Sequence, residues 1–271
     1  MFSELTNCAI TAALSAGKIL REGFGTTFEI SSKEGKNNLV TEYDKKAEAL
    51  IIDSIKSKFP NHYFLAEESG RSGITNLDEV QWIIDPLDGT VNFAHNLPIF
   101  SVSIAAHKDN QLLCGVIYHP ILDELFVAEN GKGSFLNDKQ IHVSKNEDFE
   151  SSFLVTGFPY NVNLNPCKCI DTFVDIIKQG IPVRRLGSAA LDLAYVACGR
   201  FDGFWEINLN PWDVAAGAIL VKEAGGSVTQ YDNSDYHITD NSILATNGKI
   251  HRNTVDLLSC YCSSTESCSK I

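Results

Sequence analysis

The stretch Asp213–Ala224 constrains the fold more than any other part of this chain. It reads as a helix whose residues are almost all apolar, and Gly225-Gly226 ends it. A helix that is apolar on every face is buried on both sides, so we expect it to lie between two layers of structure. Stretches typical of strands and of helices alternate through the rest of the chain. The sequence therefore predicts an α/β fold, an α+β layered sandwich of alternating helix and sheet layers.

Apolar residues at helical spacing predict further helices, and short apolar runs between turn residues predict strands. The predicted helices cover 4–22, 41–59, 169–178, 188–198 and 249–258. The predicted strands cover 63–66, 82–84, 100–106, 112–118, 125–128, 141–143, 153–156, 183–186, 203–205, 227–230 and 243–246. No linker is long enough to separate independent domains, so we predict one domain over residues 1–258, in two closely packed halves, 1–145 and 146–258. The Cys- and Ser-rich tail, 259–271, is expected to be disordered.

The charge balance narrows the classes of partner. The chain has 22 Lys and Arg residues against 34 Asp and Glu residues, a formal net charge of -12. A surface this acidic repels phosphate backbones, and the longest basic runs are the pairs Lys45-Lys46 and Arg184-Arg185. We therefore expect no direct nucleic-acid binding. The N-terminus shows neither a basic region nor a long apolar stretch, so we predict a cytoplasmic protein with no membrane partner.

The eight cysteines invite a disulfide or zinc interpretation. Cys8, Cys114 and Cys198 lie among apolar residues and look like small buried hydrophobic side chains. The one-residue spacings in Cys167-x-Cys169 and Cys260-x-Cys262 differ from the two-residue spacing typical of zinc sites. The sequence favours free thiols in a reducing compartment.

The segment from Trp82 to Phe93 carries the most informative chemistry. An apolar strand leads to Asp85, and Pro86 and Asp88 follow, so a turn here could direct two carboxylates and the Leu87 carbonyl to one point. Hard divalent cations prefer such oxygen ligands. The next residues, Gly89 and Thr90, could present backbone N–H groups to a phosphate. The alternative is an ordinary Pro/Gly/Asp turn with solvated carboxylates.

Three other acidic segments are ambiguous when each is taken alone. Glu67-Glu68 follows a predicted strand and could be a surface pair or contain a metal ligand. Asp213 begins the apolar helix, where an acid is commonly a cap, although a buried carboxylate needs a partner. Thr41 and Asp44 match a capping box, which explains them sufficiently. No His accompanies these acids at ligand spacing, so the pattern favours magnesium or manganese over zinc.

Together these segments resemble the inositol monophosphatase family. The similarity runs from the first helix to about Leu258 and rests on motifs that occur in the family's order. They are Leu39-Val40-Thr41 with Asp44, Leu65-Ala66-Glu67-Glu68-Ser69, Trp82-Ile83-Ile84-Asp85-Pro86-Leu87-Asp88-Gly89-Thr90-Val91-Asn92-Phe93, Gly187-Ser188-Ala189-Ala190, and Trp212-Asp213-Val214-Ala215-Ala216-Gly217 continuing to Glu223-Ala224-Gly225-Gly226.

The resemblance implies a set of metal ligands and catalytic residues. Glu67, Asp85 and the Leu87 carbonyl would hold one Mg²⁺, and Asp85, Asp88 and Asp213 a second. A third, weaker ion would lie near Glu67, and Mn²⁺ is an expected substitute. Thr90 and Asp44 resemble the pair that, with Glu67, orients and activates the attacking water.

The resemblance also implies substrate contacts. The Gly89 and Thr90 amides would bind the phosphate, and Asp88, Ala189 and Glu206 look like contacts to substrate hydroxyl groups. Further substrate-binding positions implied in the same way are Gly187, Ser188 and Asp213. Lys33 matches a lysine of a mobile loop in the family.

The function implied is magnesium-dependent, lithium-sensitive hydrolysis of a small phosphate monoester by metal-activated water, in a homodimer. The expected substrate is a phosphorylated polyol or sugar, with myo-inositol monophosphate first. The alternatives are fructose-1,6-bisphosphatase, 3′-phosphoadenosine-5′-phosphate phosphatase and histidinol-phosphate phosphatase activities, which relatives with the same metal ligands perform. An alternative of another class is a binding partner of the transcription machinery.

Overall fold

The computed structural model describes residues 1–32, 39–73 and 78–262. Helices α1–α7 span, in order, Glu4–Gly23, Glu42–Lys58, Thr90–Ala94, Cys169–Lys178, Ala189–Ala197, Pro211–Glu223 and His251–Cys262. Strands β1–β15 span Ile30–Ser32, Leu39–Thr41, Tyr63–Ala66, Gly70–Ser72, Gln81–Asp88, Ser101–Lys108, Gln111–His119, Glu124–Glu129, Gly133–Leu136, Lys139–Ile141, Leu154–Thr156, Val183–Arg184, Gly203–Ile207, Ser227–Thr229 and Ser242–Thr246. Two 3-10 turns, Val162–Leu164 and Pro166–Lys168, precede α4.

The strands form two mixed sheets and a separate β1–β2 ribbon. The large sheet has the order β10-β9-β8-β7-β6-β5-β3-β4, and the small sheet has the order β12-β11-β13-β15-β14. Most neighbours are antiparallel, but β3 runs parallel to β5, and β11 runs parallel to both β12 and β13. In the parallel β3–β5 pair, the last residue of β3, Ala66, lies beside Ile84, and β5 continues to Asp88.

The layers alternate as the sequence predicts. Helices α1 and α2 pack on one face of the large sheet, while α5 and α6 lie between its other face and the small sheet. Helix α7 packs on the small sheet from outside and contacts α4. Alternate side chains of β5 accordingly enter different cores: Trp82 and Ile84 pack with α1 and α2, and Ile83 packs with α5 and α6.

Helix α6 occupies the buried position predicted from its composition. Its residues from Val214 to Val221 are all buried, and it contacts strands of both sheets. The approach to the large sheet is close at Gly115 of β7, where a Cβ would lie 2.7 Å from the Ala216 carbonyl oxygen. Glycine at this position therefore allows the helix backbone to lie directly on the sheet.

Strand β5 is longer than the sequence predicts. The expected turn at Asp85–Asp88 belongs to the strand, which pairs with β6 at Asp85 and again at Asp88, with an irregular register between them. Pro86 has no N–H to donate to the ladder, which accounts for the interruption at this place. The Leu87 amide instead donates to Asp85 Oδ1 at 3.0 Å. Because of this bulge, the side chains from Asp85 to Asp88 do not follow the regular alternation between the two faces of the sheet.

The free-thiol prediction is correct for four cysteines and wrong for a fifth. Cys8, Cys114, Cys169 and Cys198 are free, whereas Cys167 is disulfide-bonded. Cys167 lies in the 3-10 turn Pro166–Lys168, and the C-terminal helix α7 packs against that turn. This proximity between distant parts of the chain is not visible in cysteine spacing.

Within the described ranges, no helix combines the length and the apolar character needed to cross a membrane.

Candidate active site

Two acids meet where β3 ends beside the irregular part of β5. Glu67 directly follows β3, and its amide donates to the Ile84 carbonyl of β5 at 3.1 Å. Asp85 is the next residue of β5 and is 2% exposed. The Glu67 carboxyl group acts on that of Asp85 and raises its pKa. The strand pairing therefore brings the two acids together from positions 18 residues apart.

Burial and neighbouring acids act on Asp85 in the same direction. Burial raises its pKa well above the usual range, and the carboxylates of Glu67, Asp88 and Asp213 raise it further. Like charges disfavour ionisation, so each of these three carboxylates opposes ionisation of Asp85. They come from the ends of β3 and β5 and from the first turn of α6.

Asp213 lies in the first turn of α6 and caps the helix. Its Oδ2 accepts a hydrogen bond from the Asn210 amide at 2.6 Å, which completes a capping box with Asn210. The capping role considered from the sequence is therefore present. The same residue is among the acids that act on Asp85 and on Glu206, so capping and site membership coexist.

Asp88 is held at the N-terminus of α5. Its Oδ2 accepts from the Ser188 hydroxyl at 2.6 Å and from the Ala190 amide at 2.8 Å, and the side chain is 8% exposed. Burial raises its pKa to about 6, although the hydrogen bonds from Ser188, Ala190 and Ala189 oppose this shift. Ser188 is 100 residues from Asp88 in the sequence, so this contact brings residues 187–189 next to the acids of the site.

Thr90 connects the end of β5 to helix α2. Its hydroxyl donates both to Asp44 Oδ1 and to the Leu87 carbonyl, each at 3.0 Å. The other oxygen of Asp44 accepts from the Thr41 amide at 2.8 Å and the Thr41 hydroxyl at 2.6 Å. Asp44 thus caps α2 and also bonds to Thr90, the residue with which the resemblance pairs it. Burial raises the pKa of Asp44 to about 6, with Thr41 opposing the shift and Glu68 and Glu67 adding to it.

Two glycines with positive φ allow the segments around Asp88 to meet. Gly89 has a φ of 96°, and a Cβ there would lie 2.9 Å from the Ile99 carbonyl oxygen and 3.3 Å from that of Gly187. Gly187 has a φ of 82°. The Asn92 side-chain amide joins these segments by donating to the Ile99 and Leu186 carbonyl oxygens at 2.7 and 2.8 Å. A side chain at Gly89 would therefore separate the two segments.

Glu206 of β13 lies on the other side of the cluster and is 7% exposed. Burial raises its pKa well above the usual range, Asp213 and Asp88 add to the shift, and Arg185 opposes it. Gly157 packs against this carboxylate so closely that a Cβ there would overlap it. The segment that follows β11 therefore borders the site.

Tyr160, in that same segment, was not recognised in the sequence. Its side chain is 64% exposed, yet burial raises the pKa of its phenol to about 12, and Glu67, Asp213, Asp85 and Asp88 contribute. Tyr160 therefore lies near these four acids, with most of its side chain exposed to solvent. The only signal in the sequence is an aromatic residue after Gly-Phe-Pro, which is too common to assign.

The donor chemistry of the site fits a divalent cation. The converging side chains are carboxylates, buried and mutually repelling, which is the oxygen-rich environment that Mg²⁺ and Mn²⁺ prefer. Within the described ranges, no three His, Cys, Asp or Glu side chains are placed so that together they could hold a metal ion. Asp85, Asp88 and Asp213 each accept a hydrogen bond from a backbone amide.

Comparison with known proteins identifies the family. The model of the inositol monophosphatase family matches residues 1–263. The chain belongs to this family. An inositol-1-monophosphatase from Synechocystis is 45% identical over 249 residues, which cover 90% of this chain and 85% of that protein. The Nus factor SuhB of Escherichia coli K12 is 42% identical over 247 residues, 91% of this chain and 92% of that protein. The Thermotoga maritima IMPase structure has a TM-score of 0.87 at 35% identity and covers 96% of this chain and 98% of that one.

Membership of the inositol monophosphatase family makes this chain a phosphoric monoester hydrolase with an α+β fold. Enzymes of the family generally depend on a metal ion. The structure brings together the acids and loop residues that the sequence singled out, from Asp44 to Asp213. Lys33 lies outside the described residues.

A second acid of α2, Glu48, was also missed. It is 4% exposed and accepts from the Glu68 and Ser69 amides at 2.8 and 2.9 Å. Its spacing of four residues from Asp44 is the signal that could have found it, because residues four apart share one face of a helix.

Proposed function

We propose that this inositol monophosphatase family member hydrolyses myo-inositol monophosphate to inositol and phosphate in a magnesium-dependent reaction. One observation carries the proposal: Glu67, Asp88 and Asp213, from separate segments, all act on the buried Asp85. Four acids in one place are costly to keep ionised without a cation. The relative from Synechocystis that bears the name inositol-1-monophosphatase supports the choice of substrate.

The proposed ligands of the cation are those that the sequence suggested. Glu67, Asp85 and the Leu87 carbonyl would hold one Mg²⁺, with Asp85, Asp88 and Asp213 holding a second and Glu67 contributing to a third. When bound, the ions would neutralise phosphate charge and lower the pKa of a water molecule. Each amide bond uses one oxygen of its carboxylate, so Asp85 and Asp213 could bind an ion while still accepting from the Leu87 and Asn210 amides.

Thr90, Asp44 and Glu67 are proposed to orient the attacking water. The Thr90 hydroxyl shares its hydrogen between Asp44 and the Leu87 carbonyl, which leaves its oxygen lone pairs to accept a hydrogen bond from water. An ionised Asp44 holds this orientation. Glu67 adjoins Asp85 and would accept a hydrogen bond from the other hydrogen of the water.

The proposed substrate contacts surround Asp88. The Gly89 and Thr90 amides would bind the phosphate, while Asp88, Asp213, Glu206 and residues 187–189 would contact the inositol hydroxyl groups. Two buried acids, Asp88 and Glu206, can accept hydrogen bonds from a polyol that has lost its water on binding. A hydroxyl-rich leaving group therefore suits this side of the site.

The test is phosphate release from inositol 1-phosphate, fructose 1,6-bisphosphate, 3′-phosphoadenosine 5′-phosphate and histidinol phosphate. Each substrate is measured with magnesium, with manganese, with EDTA and with added lithium. We expect magnesium-dependent release that is fastest with inositol 1-phosphate and is inhibited by lithium. If phosphate release is faster from another of these compounds, that compound and not inositol monophosphate is the substrate. If EDTA does not affect the release, the proposed role of the metal is wrong.

A second proposed function is binding to the transcription machinery. The observation in its favour is the 42% identity to a protein named Nus factor SuhB. The net charge of -12 favours a protein contact over direct RNA binding. Asp88→Asn separates the two functions: capture of transcription proteins by the inactive variant as well as by the wild type would support a binding role. We also propose that the protein is a homodimer, which sedimentation tests, and that it is cytoplasmic, which cell fractionation tests. We further propose that residues 1–258 form a single domain, which should unfold in one transition.

A further inference from the structure

Glu48 is a buried acid on the face of α2 that points toward the active site. It follows Asp44 by four residues, so the two carboxylates lie one helical turn apart on that face. Only 4% of Glu48 is exposed. A buried carboxylate is costly unless hydrogen bonds compensate it, so its partners indicate what it is for.

Both oxygens of Glu48 accept backbone N–H groups of one turn. Oε2 accepts from the Glu68 amide at 2.8 Å, and Oε1 accepts from the Ser69 amide at 2.9 Å. Hydrogen bonds to an ionised acceptor are stronger than those between neutral groups, and two parallel bonds also fix an orientation. Glu48 therefore fixes the backbone immediately after Glu67.

The Glu67 backbone is consequently held from both sides. Its own amide bonds to Ile84 of β5, and the next two amides bond to Glu48 of α2. One turn before Glu48, Asp44 bonds to Thr90. A single face of α2 thus sets the position of the turn that carries Glu67 and of the Thr90 hydroxyl, the two groups between which the attacking water is proposed to lie.

We propose that Glu48 is a positioning residue for the cation site, acting through the Glu68 and Ser69 amides to hold Glu67 against Asp85. The inference rests on the proposed metal-dependent function. Glu48 touches neither the ion nor the substrate in this account. Groups that orient metal ligands commonly change metal affinity or activity roughly ten- to a hundredfold when they are replaced.

The chain offers a matched control for the loss of such a bond pair. Glu223, in the last turn of α6, accepts from the Gly131 and Gly133 amides at 2.9 and 2.8 Å. It lies ten residues after Asp213, about 15 Å along the helix. Replacement of either glutamate by glutamine removes the charge and one of two acceptor oxygens from a pair of backbone amides, but only Glu48 adjoins the site.

The experiment compares Glu48→Gln with Glu223→Gln. Calorimetric titration of the metal-free proteins gives Mg²⁺ and Mn²⁺ affinity, and amide hydrogen exchange follows Glu68 and Ser69. We expect Glu48→Gln to bind Mg²⁺ roughly ten- to a hundredfold more weakly and to exchange these amides faster, with the half-saturating Mg²⁺ concentration of phosphate release raised by the same factor. Glu223→Gln should leave all three unchanged. Glu48→Asp, which keeps the charge with a shorter reach, should weaken Mg²⁺ binding in the same direction.

The outcomes separate the inference from the function on which it rests. If the wild type neither binds Mg²⁺ nor releases phosphate, the proposed function is wrong and the role of Glu48 is overturned with it. If the wild type does both and the two Glu48 variants match Glu223→Gln in Mg²⁺ affinity, only the positioning role is overturned. Should Glu48→Gln fail to fold, Glu48→Asp alone decides the matter by the same comparison.

Discussion

Two regions of this protein bury acids, and the burial has opposite consequences. At the N-terminal end of α1, Glu129 of β8 accepts from the Ser3 amide at 2.7 Å and the Thr6 hydroxyl at 2.6 Å, and it pairs with Lys132 at 2.5 Å. Burial alone would raise its pKa, but these donors outweigh it and hold the pKa at about 2. In the active site, Asp44 and Asp88 have pKa values raised to about 6.

The difference lies in the balance between burial and hydrogen bonding at each carboxylate. At Glu129, Lys132 and the donors Ser3 and Thr6 outweigh burial. At Asp88, burial outweighs the hydrogen bonds from Ser188 and Ala190, and at Asp44 the neighbouring acids Glu68 and Glu67 add to the effect of burial. The Glu129 contact therefore stabilises the fold, while burial of the ionised active-site acids reduces its stability.

The largest expected effect is on activity. Asp88→Asn removes a proposed ligand shared by cation and substrate, so magnesium-dependent phosphate release should fall about a thousandfold, equivalent to about 4 kcal/mol. Glu129→Gln removes an equally buried acid and should leave the rate within about twofold. Rates at saturating magnesium measure both. Similar losses in the two variants would contradict the division between a stabilising and a functional acid.

Glu129→Gln should instead lower stability. Its carboxylate has a pKa depressed from 4.5 to about 2, which contributes about 2 kcal/mol of stability at neutral pH, because solvent screens its pair with the 41%-exposed Lys132. Urea unfolding at pH 7.5 gives the change in the free energy of unfolding. Thr6→Val removes one of the donors and should cost a smaller amount, about 1 kcal/mol. An unchanged midpoint in Glu129→Gln would show that Lys132 and α1 contribute no net stabilisation through this residue.

The pH dependence of stability should have opposite signs in the two regions. Between pH 4 and 6 the folded protein keeps protons on Asp44 and Asp88 that the unfolded chain has lost, so these groups lower the free energy of unfolding as pH rises. Glu129 raises it as pH rises from 2 to 4.5, and its contribution is complete above that range. In EDTA, Asp88→Asn should therefore be more stable than the wild type at pH 7.5, by up to about 3 kcal/mol, and nearly equal to it at pH 4. Equal differences at both pH values would refute the assignment.

The smallest expected effect is at the rim. Tyr160→Phe removes a hydroxyl near the four acids but keeps the exposed ring, so KM for inositol 1-phosphate should change only about threefold and kcat less. Tyr160→Ala should change KM more and should alter the ratio of rates between two substrates. Identical KM values in both variants for every substrate would remove Tyr160 from the site.

Local patterns predicted the parts of this fold that local forces determine. Helix α4 has the expected bounds, Cys169–Lys178, and α6 is buried as its composition requires. Asp44 and Thr90, which the resemblance pairs, are joined by a hydrogen bond. The hydrogen-bond partners of Glu48 lie about 20 residues away in a turn. The spacing of Glu48 from Asp44 places it on one face of the helix but does not predict those partners, so its role was missed. The disulfide at Cys167 was missed for the same reason: contacts between distant segments leave no local pattern.

Helix α6 also bears on how such an enzyme can diverge. It is enclosed by both sheets and begins with the acid that faces the cluster, so a larger side chain on it would displace two layers at once. The segment from Gly157 to Tyr160 borders the same site from the solvent side, and at Tyr160 a new side chain meets water. After gene duplication, a copy of this enzyme would therefore change its substrate most readily through substitutions after β11. Helix α6 and its Asp213 would be expected to stay the same in both copies.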